Sequence, residues 1–174
     1  KVWVLVSAKF KRQIVWALGL GLLVIGIALI GLLQPGENSL ALLIIAYIIA
    51  GCGTTAGEVN APAILADIID YHRWKFKADC RASIYSLFML TIKTNAAIGG
   101  AIAFSIAGWY GFDPSVTAFS FEAIFGLRLA AIWLPVFFGL LAIAFILQIP
   151  ITAHQHRIIV RRLDDRELRA NSIK

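Results

Sequence analysis

Long blocks of apolar residues with almost no charge dominate the sequence. Positions 14–33 and 129–147 hold no charged residue, positions 39–66 hold one, and positions 83–112 hold one. A helix rises 1.5 Å per residue, so about twenty apolar residues cross a hydrocarbon core of about 30 Å. The sequence therefore predicts an all-α membrane protein with four transmembrane helices, spanning about 14–33, 40–69, 83–111 and 129–150.

The composition excludes several other classes of protein. Charged residues make up 15% of the chain and hydrophobic residues 60%, whereas a soluble domain carries about 25% charged residues. The sequence contains no HExxH, GxSxG or P-loop motif, so we expect no enzyme. The two cysteines, Cys52 and Cys80, lack metal-ligand spacing, so we expect no metal site. The basic residues form short clusters between apolar blocks, and no nucleic-acid partner is expected.

The chain divides into three parts. Residues 1–12 are interpreted as the end of a preceding helix, too short to cross a membrane, followed by the basic loop "KFKR". Residues 13–153 form the four-helix membrane segment, and residues 154–174 form a basic tail that could lie on a lipid surface as a short amphipathic helix. Thirteen lysines and arginines flank one side of the predicted spans and one, Arg128, flanks the other. This asymmetry predicts a cytoplasmic C-terminus.

Two charged residues fall inside predicted spans. Lys93 is twelve residues from Arg81, and Glu58 is twelve residues from Asp70. Each is therefore about 18 Å along its helix from a charged end, near the bilayer middle. A charge at that depth costs at least about 2.5–3.5 kcal/mol and usually faces a partner or a cavity. Lys93, Glu58 and Asn95 are the candidate substrate or cation network; the alternative is an ion pair that only orients two helices.

The second span carries "GCGTTAGEVNAP", in which Gly53 and Gly57 form a GxxxG pattern. Small residues at this spacing favour close helix packing. Pro62 removes a backbone donor, so a hinge or a broken helix beside a site is the alternative.

Asp67 and Asp70 are three residues apart and so share one helix face. They precede the charged segment 70–81, which we expect to be a loop, and Arg81 within it could pair with them. Such pairs are modest and reversible, so they could form a cytoplasmic gate. The alternative is a solvated loop that only sets the membrane orientation. Residues 113–126 read as a longer loop with a short interfacial helix.

The segment "ADIIDYHRWKFKADCRASIYSLFMLTIK", 66–93, resembles the glycoside–pentoside–hexuronide:cation symporters, a branch of the major facilitator superfamily. The matching residues are Asp67, Asp70, Tyr71, Tyr85 and Lys93. The resemblance implies that the four spans correspond to helices 9–12 of a twelve-helix carrier that works by alternating access, with the helix stump before them and the cytoplasmic tail after them. It places Lys93 in the central polar network and Asp67 and Asp70 in the inner gate.

The resemblance also implies the partners of the chain. These are the lipid bilayer of the plasma (inner) membrane, a sugar or glycoside, and an N-terminal half of the same carrier. The coupling cation would be Na⁺ or H⁺, with no other cofactor. Two alternatives remain open: a facilitator of another solute, such as a lipid or a drug, and a non-transporting membrane scaffold subunit.

Overall fold

The regular secondary structure of the described residues is helical, with no strand among them. The computed structural model describes residues 2–33, 39–116 and 119–148. Its helices are α1 (Val2–Lys9), α2 (Arg12–Leu32), α3 (Ser39–Phe76), α4 (Arg81–Trp109), α5 (Phe121–Arg128) and α6 (Leu134–Leu147), with a π segment (Leu129–Trp133) between α5 and α6. Within these residues α2, α3, α4 and the run Phe121–Leu147 are long and apolar enough to cross a membrane. The predicted all-α fold with four spans is confirmed.

Helices α2 and α3 approach so closely that only small residues fit between them. Gly19 faces Ala56, Gly26 faces Ala50, and Gly53 lies against the α2 backbone at Leu23. Ala50 and Ala56 are almost completely buried. In a membrane, where lipid is as apolar as a side chain, such van der Waals packing is a main source of helix association. The structure thus assigns Gly53 to close packing, one of the two roles that the sequence left open.

Polar side chains attach α1 to α3. The Trp3 indole Nε1 donates to the Cys52 carbonyl oxygen at 3.0 Å and lies 3.1 Å from the Thr55 hydroxyl. One helical turn further along, the Ser7 hydroxyl donates to Oδ1 of Asn60 at 2.8 Å. Asn60 is 0% exposed, and its Nδ2 donates to the Ala56 carbonyl at 2.8 Å. Since the contacts advance in the same direction on both helices, α1 and α3 run parallel.

The fourth membrane helix begins earlier than the sequence indicated. The sequence indicated a loop with a short interfacial helix over 113–126, whereas the helix that starts at Phe121 continues into the fourth span. Ser120 caps this helix, α5, by accepting a hydrogen bond from the Ala123 amide at 3.1 Å. The π segment follows, in which the Leu134 amide donates to the Leu129 carbonyl five residues back. Pro135 has no amide hydrogen to donate to the carbonyl of Ala131. In a π-helix each carbonyl bonds an amide five residues later instead of four, so a carbonyl that would have faced the proline can reach the next amide.

The run Phe121–Leu147 packs on α2. Ile132 of the π segment covers Gly31, and Val24 covers Gly139. Arg128 donates from Nη2 to the Leu33 carbonyl oxygen at 3.2 Å, which satisfies one of the acceptors left open where α2 ends. Helix α2 therefore contacts helices on two sides and occupies the centre of the described bundle.

The charged segment 70–81 is not mainly a loop. Helix α3 continues to Phe76, and Lys77 ends it with a left-handed φ of 56°. The basic residues of the last turn, Arg73 and Lys75, complement the negative end of the helix dipole. Lys75 also lies 5.8 Å from the Tyr71 ring centre, four residues before it. These local interactions explain why the helix extends beyond the apolar block.

Helix α4 is the least covered of the long helices. Among the described residues of α4, Ala107 is the buried one, at 2% exposure. Helix α4 packs mainly on α5 and the π segment, near the C-terminal end of α4, where Tyr110 fills the space beside Gly126. Lys93 thus lies on a helix that the rest of the described chain leaves open.

The α2–α3 contact predicts a position-specific effect of adding one methyl group. Gly53→Ala should lower the free energy of unfolding by about 1–3 kcal/mol, since the methyl group would meet backbone atoms that cannot move aside. Gly51→Ala is the matched control, because nothing lies within 4 Å of a methyl group at that position. Thermal unfolding of the full-length protein in detergent measures both. Equal melting temperatures for the two variants would contradict this packing.

Candidate functional site

The two intramembrane charges lie on exposed faces of their helices. Glu58 of α3 and Lys93 of α4 are both exposed in the described structure. The chain is helical without a break from Glu58 to Asp70 and from Arg81 to Lys93. The rise of 1.5 Å per residue therefore applies over both intervals, which puts each charge about 18 Å from its charged reference residue.

The packing of α3 determines where Glu58 points. Gly53, Asn60 and Asp67 are seven residues apart, so they lie on nearly one face of the helix. That face contacts α2 and α1 through Gly53 and Asn60. Two residues correspond to 200° of rotation, so Glu58 lies about 160° away from Asn60 around the helix. The contact that buries the amide of Asn60 necessarily turns the carboxylate of Glu58 outward.

Glu58 and Lys93 form no ion pair with each other in the part of the chain that the structure describes. The direct pair that the matched depths allowed is therefore not present. Asn95 is two residues from Lys93, so the two side chains leave α4 on roughly opposite sides. Any network that contains all three residues requires groups from outside the described helices, and that membership stays a prediction.

Pro62 does not break α3, contrary to one of the two roles considered for it, since the helix is continuous from Ser39 to Phe76. It does remove the amide hydrogen that would bond the carbonyl four residues earlier, and that residue is Glu58. Glu58 thus presents a backbone carbonyl without its helical donor as well as a carboxylate. Pro62 is exposed too, so this oxygen-rich section of α3 is on the open side of the helix.

At the opposite face of α3, Asp67 pairs with Arg12. The Arg12 Nη1 atom lies 2.7 Å from both carboxylate oxygens of Asp67, and it also reaches the Ala63 carbonyl at 3.4 Å. The Asp67 side chain is 12% exposed and that of Arg12 is 41% exposed. The pair joins the first turn of α2 to α3. Because Arg12 is partly exposed, the ion pair contributes about 0.5–1 kcal/mol to the free energy of unfolding.

The structure gives Asp67 a partner, Arg12, that the sequence did not indicate. Arg81 does not pair with Asp67 or Asp70; it lies 3.5 Å from the carboxylate of Asp79, whose Oδ1 also accepts the Arg81 amide at 3.2 Å. Asp79 and Arg81 are two residues apart, so this contact is local. Asp70 forms no ion pair among the described residues. In the sequence, Arg12 contributes to the orientation signal, and its position carries no sign of a partner 55 residues away.

We call the end of the bundle that carries Arg12, Asp67, Asp70, Arg73 and Arg81 the basic end. The opposite end, where α4 finishes and α5 starts, is called the aromatic end and carries Trp109, Tyr110, Ser120 and Glu122. Helix α2 starts at the basic end, as α4 does, whereas α3 and α6 finish there. The exposed section with Glu58 and the exposed Lys93 lie between these two ends.

Comparison with known proteins identifies the family. Residues 2–153 match the family described as MFS/sugar transport protein. The glucuronide carrier protein homolog of Escherichia coli (strain K12) is 31% identical over 129 residues, which cover 74% of this chain and 28% of that relative. The chain spans less than a third of the length of this curated relative. No solved structure matches the present chain. Since the family match extends over all six helices, the chain belongs to the MFS/sugar transport protein family.

Proposed function

We propose that the chain is part of a secondary active transporter that moves a sugar or glycoside together with a cation, Na⁺ or H⁺, by alternating access. The observation that carries the proposal is the exposure of Glu58 and Lys93 in the middle of membrane-spanning helices. Membership of a sugar transport family supports the same conclusion. In this proposal, α3 and α4 contribute the wall of the solute pathway.

The cost of polar groups in lipid supports a pathway on this side of the bundle. An ammonium group, a carboxylate and a backbone carbonyl without its helical donor are all expensive in hydrocarbon. They are tolerated where they line a water-filled cavity or meet protein. Lys93 is too deep to reach the membrane surface with its four-carbon chain. The exposed faces of α3 and α4 therefore face water or other protein in the complete carrier.

The charge of Lys93 favours an acidic sugar as the substrate. The curated relative is named as a glucuronide carrier homolog, and a glucuronide carries a carboxylate at neutral pH. A lysine ammonium supplies three hydrogen-bond donors and one positive charge to such a group. Glu58, with its carboxylate and carbonyl oxygens, offers the type of oxygen ligands that a proton or a hard cation requires.

The Arg12–Asp67 pair is proposed as part of the gate at the basic end. It is strong enough to favour one arrangement of α2 and α3 and weak enough to be exchanged for other partners during transport. Asp70 belongs to the same proposed gate. For Arg81 the geometry supports a local contact with Asp79 instead of a role in the gate.

Removing the Lys93 ammonium should abolish coupled uptake. Lys93→Ala should reduce uptake of a labelled β-glucuronide by full-length carrier in vesicles about 100-fold or more, because a desolvated charge pair with the substrate is lost. Lys93→Arg should retain part of the binding. Lys75→Ala is the matched control, since it removes a lysine from the basic end. Comparing sodium and proton gradients, and a neutral glycoside, identifies the cation and the substrate class.

Wild-type uptake by a correctly inserted Lys93→Ala carrier would contradict the proposal. Uptake that ignores both gradients, or that carries only lipids or drugs, would instead support the alternative of another facilitator.

Neutralising the gate should change rate more than affinity. Asp67→Asn and Arg12→Gln should each slow transport several-fold and leave the substrate Kd within about twofold, since the pair is far from Glu58 and Lys93. The double variant should be no slower than either single variant, because the two residues act on one interaction. Asp79→Asn, which removes the exposed partner of Arg81, is the control. Additive losses in the double variant would rule out a shared role.

A further inference from the structure

The aromatic end contains a cavity apart from Glu58 and Lys93. It has a volume of about 770 Å³ and is lined by Trp109, Tyr110, Gly111, Ser120 and Glu122. This volume is within the range of small-molecule sites, about 300–1,000 Å³. The cavity lies between the C-terminal end of α4 and the N-terminal end of α5, on the opposite side of Glu58 and Lys93 from the Arg12–Asp67 pair.

Two of the lining residues, Tyr110 and Ser120, are held by contacts with α5. The Tyr110 ring lies over Gly126 and meets the Phe125 ring edge-on at a centroid distance of 5.7 Å. The Ser120 hydroxyl is fixed by the bond it accepts from the Ala123 amide. After α4, Asp113 forms a local turn in which it accepts the Ser115 hydroxyl at 2.7 Å and the Ser115 amide at 2.9 Å. These two bonds lower the pKa of the Asp113 carboxyl below its ordinary value.

The lining groups share a preference for a positive ligand. Trp109 is 91% exposed, so its ring face is available, and aromatic faces attract organic ammonium groups. The Glu122 carboxylate forms no hydrogen bond or ion pair among the described residues, in contrast to that of Asp113. No lysine or arginine is among the described residues that line the cavity. Ser120 can still donate its hydroxyl hydrogen, since its cap bond uses only the oxygen as acceptor.

We propose that this cavity binds the headgroup of a zwitterionic phospholipid, with its ammonium group between Trp109, Tyr110 and the Glu122 carboxylate. The phosphate that accompanies the ammonium would accept the Ser120 hydroxyl. The source of the ligand follows from position: the cavity lies at the end of two membrane-spanning helices, where Trp and Tyr rings mark the headgroup layer. A lipid therefore reaches the cavity without leaving the bilayer. This inference does not depend on the transported solute.

Lipid retention by the full-length carrier tests the proposal. The purified protein is offered phosphatidylethanolamine or phosphatidylglycerol in detergent, and bound lipid is counted by native mass spectrometry. We expect about fivefold greater retention of phosphatidylethanolamine, which matches the strength of an exposed cation–π contact together with one carboxylate. Glu122→Gln and Trp109→Leu should abolish the preference, and Trp109→Phe should retain most of it.

Asp113→Asn is the matched control, since it removes the same charge from the same end but from a carboxylate that Ser115 already occupies. A preference that survives Glu122→Gln, or that Asp113→Asn removes equally, would overturn the proposal. Free phosphoethanolamine that binds as tightly as the lipid would point to a soluble solute instead. Displacement of the lipid by a glycoside would show a sugar site. Melting temperatures of all variants confirm that each one is folded.

Discussion

The close contact between α2 and α3 determines the placement of the polar groups of α3. Gly19, Gly26 and Gly53 remove side chains from the interface, so the two backbones meet and α3 can take only one rotation about its axis. Because Gly53, Asn60 and Asp67 share a face, that rotation brings Asn60 to Ser7 and Asp67 to Arg12. It also turns Glu58 and the carbonyl freed by Pro62 to the open side. A packing constraint made of small residues thus separates a packed face of α3 from an open one.

The two faces of α3 solve the problem of polar groups in lipid in different ways. On the packed face, polar side chains meet partners within the described chain: Asn60 with Ser7, and Asp67 with Arg12. On the open face, Glu58 has no such partner in the described residues, and neither has Lys93 on α4. Since an unpartnered charge is too costly to leave in hydrocarbon, the open side requires water, a solute or further protein. The family to which the chain belongs agrees with that requirement.

The sequence predicted what depends on long, periodic or compositional signals. The four spans follow from the absence of charge, and the packing role of Gly53 was one of two roles that its spacing allowed. The prediction from sequence failed where short-range interactions set the ends of helices. Helix α3 extends to Phe76 because its last turn is stabilised by basic and aromatic side chains, and α5 starts at Phe121 because Ser120 caps it. The Arg12–Asp67 pair joins residues 55 positions apart, and only the folded α2–α3 contact brings them together.

Cysteine accessibility tests the central claim, that the open faces of α3 and α4 line an aqueous pathway. Gly51 and Gly100 are seven residues from Glu58 and Lys93, on the same faces, and both have open space around them. In a background without Cys52 and Cys80, Gly51→Cys and Gly100→Cys should react with a charged, membrane-impermeant thiol reagent. Added substrate should slow both reactions. Ala56→Cys, at the α2 contact, should not react. Labelling of Gly51→Cys and Gly100→Cys only by membrane-soluble reagents, without protection by substrate, would place these faces in lipid and contradict the account.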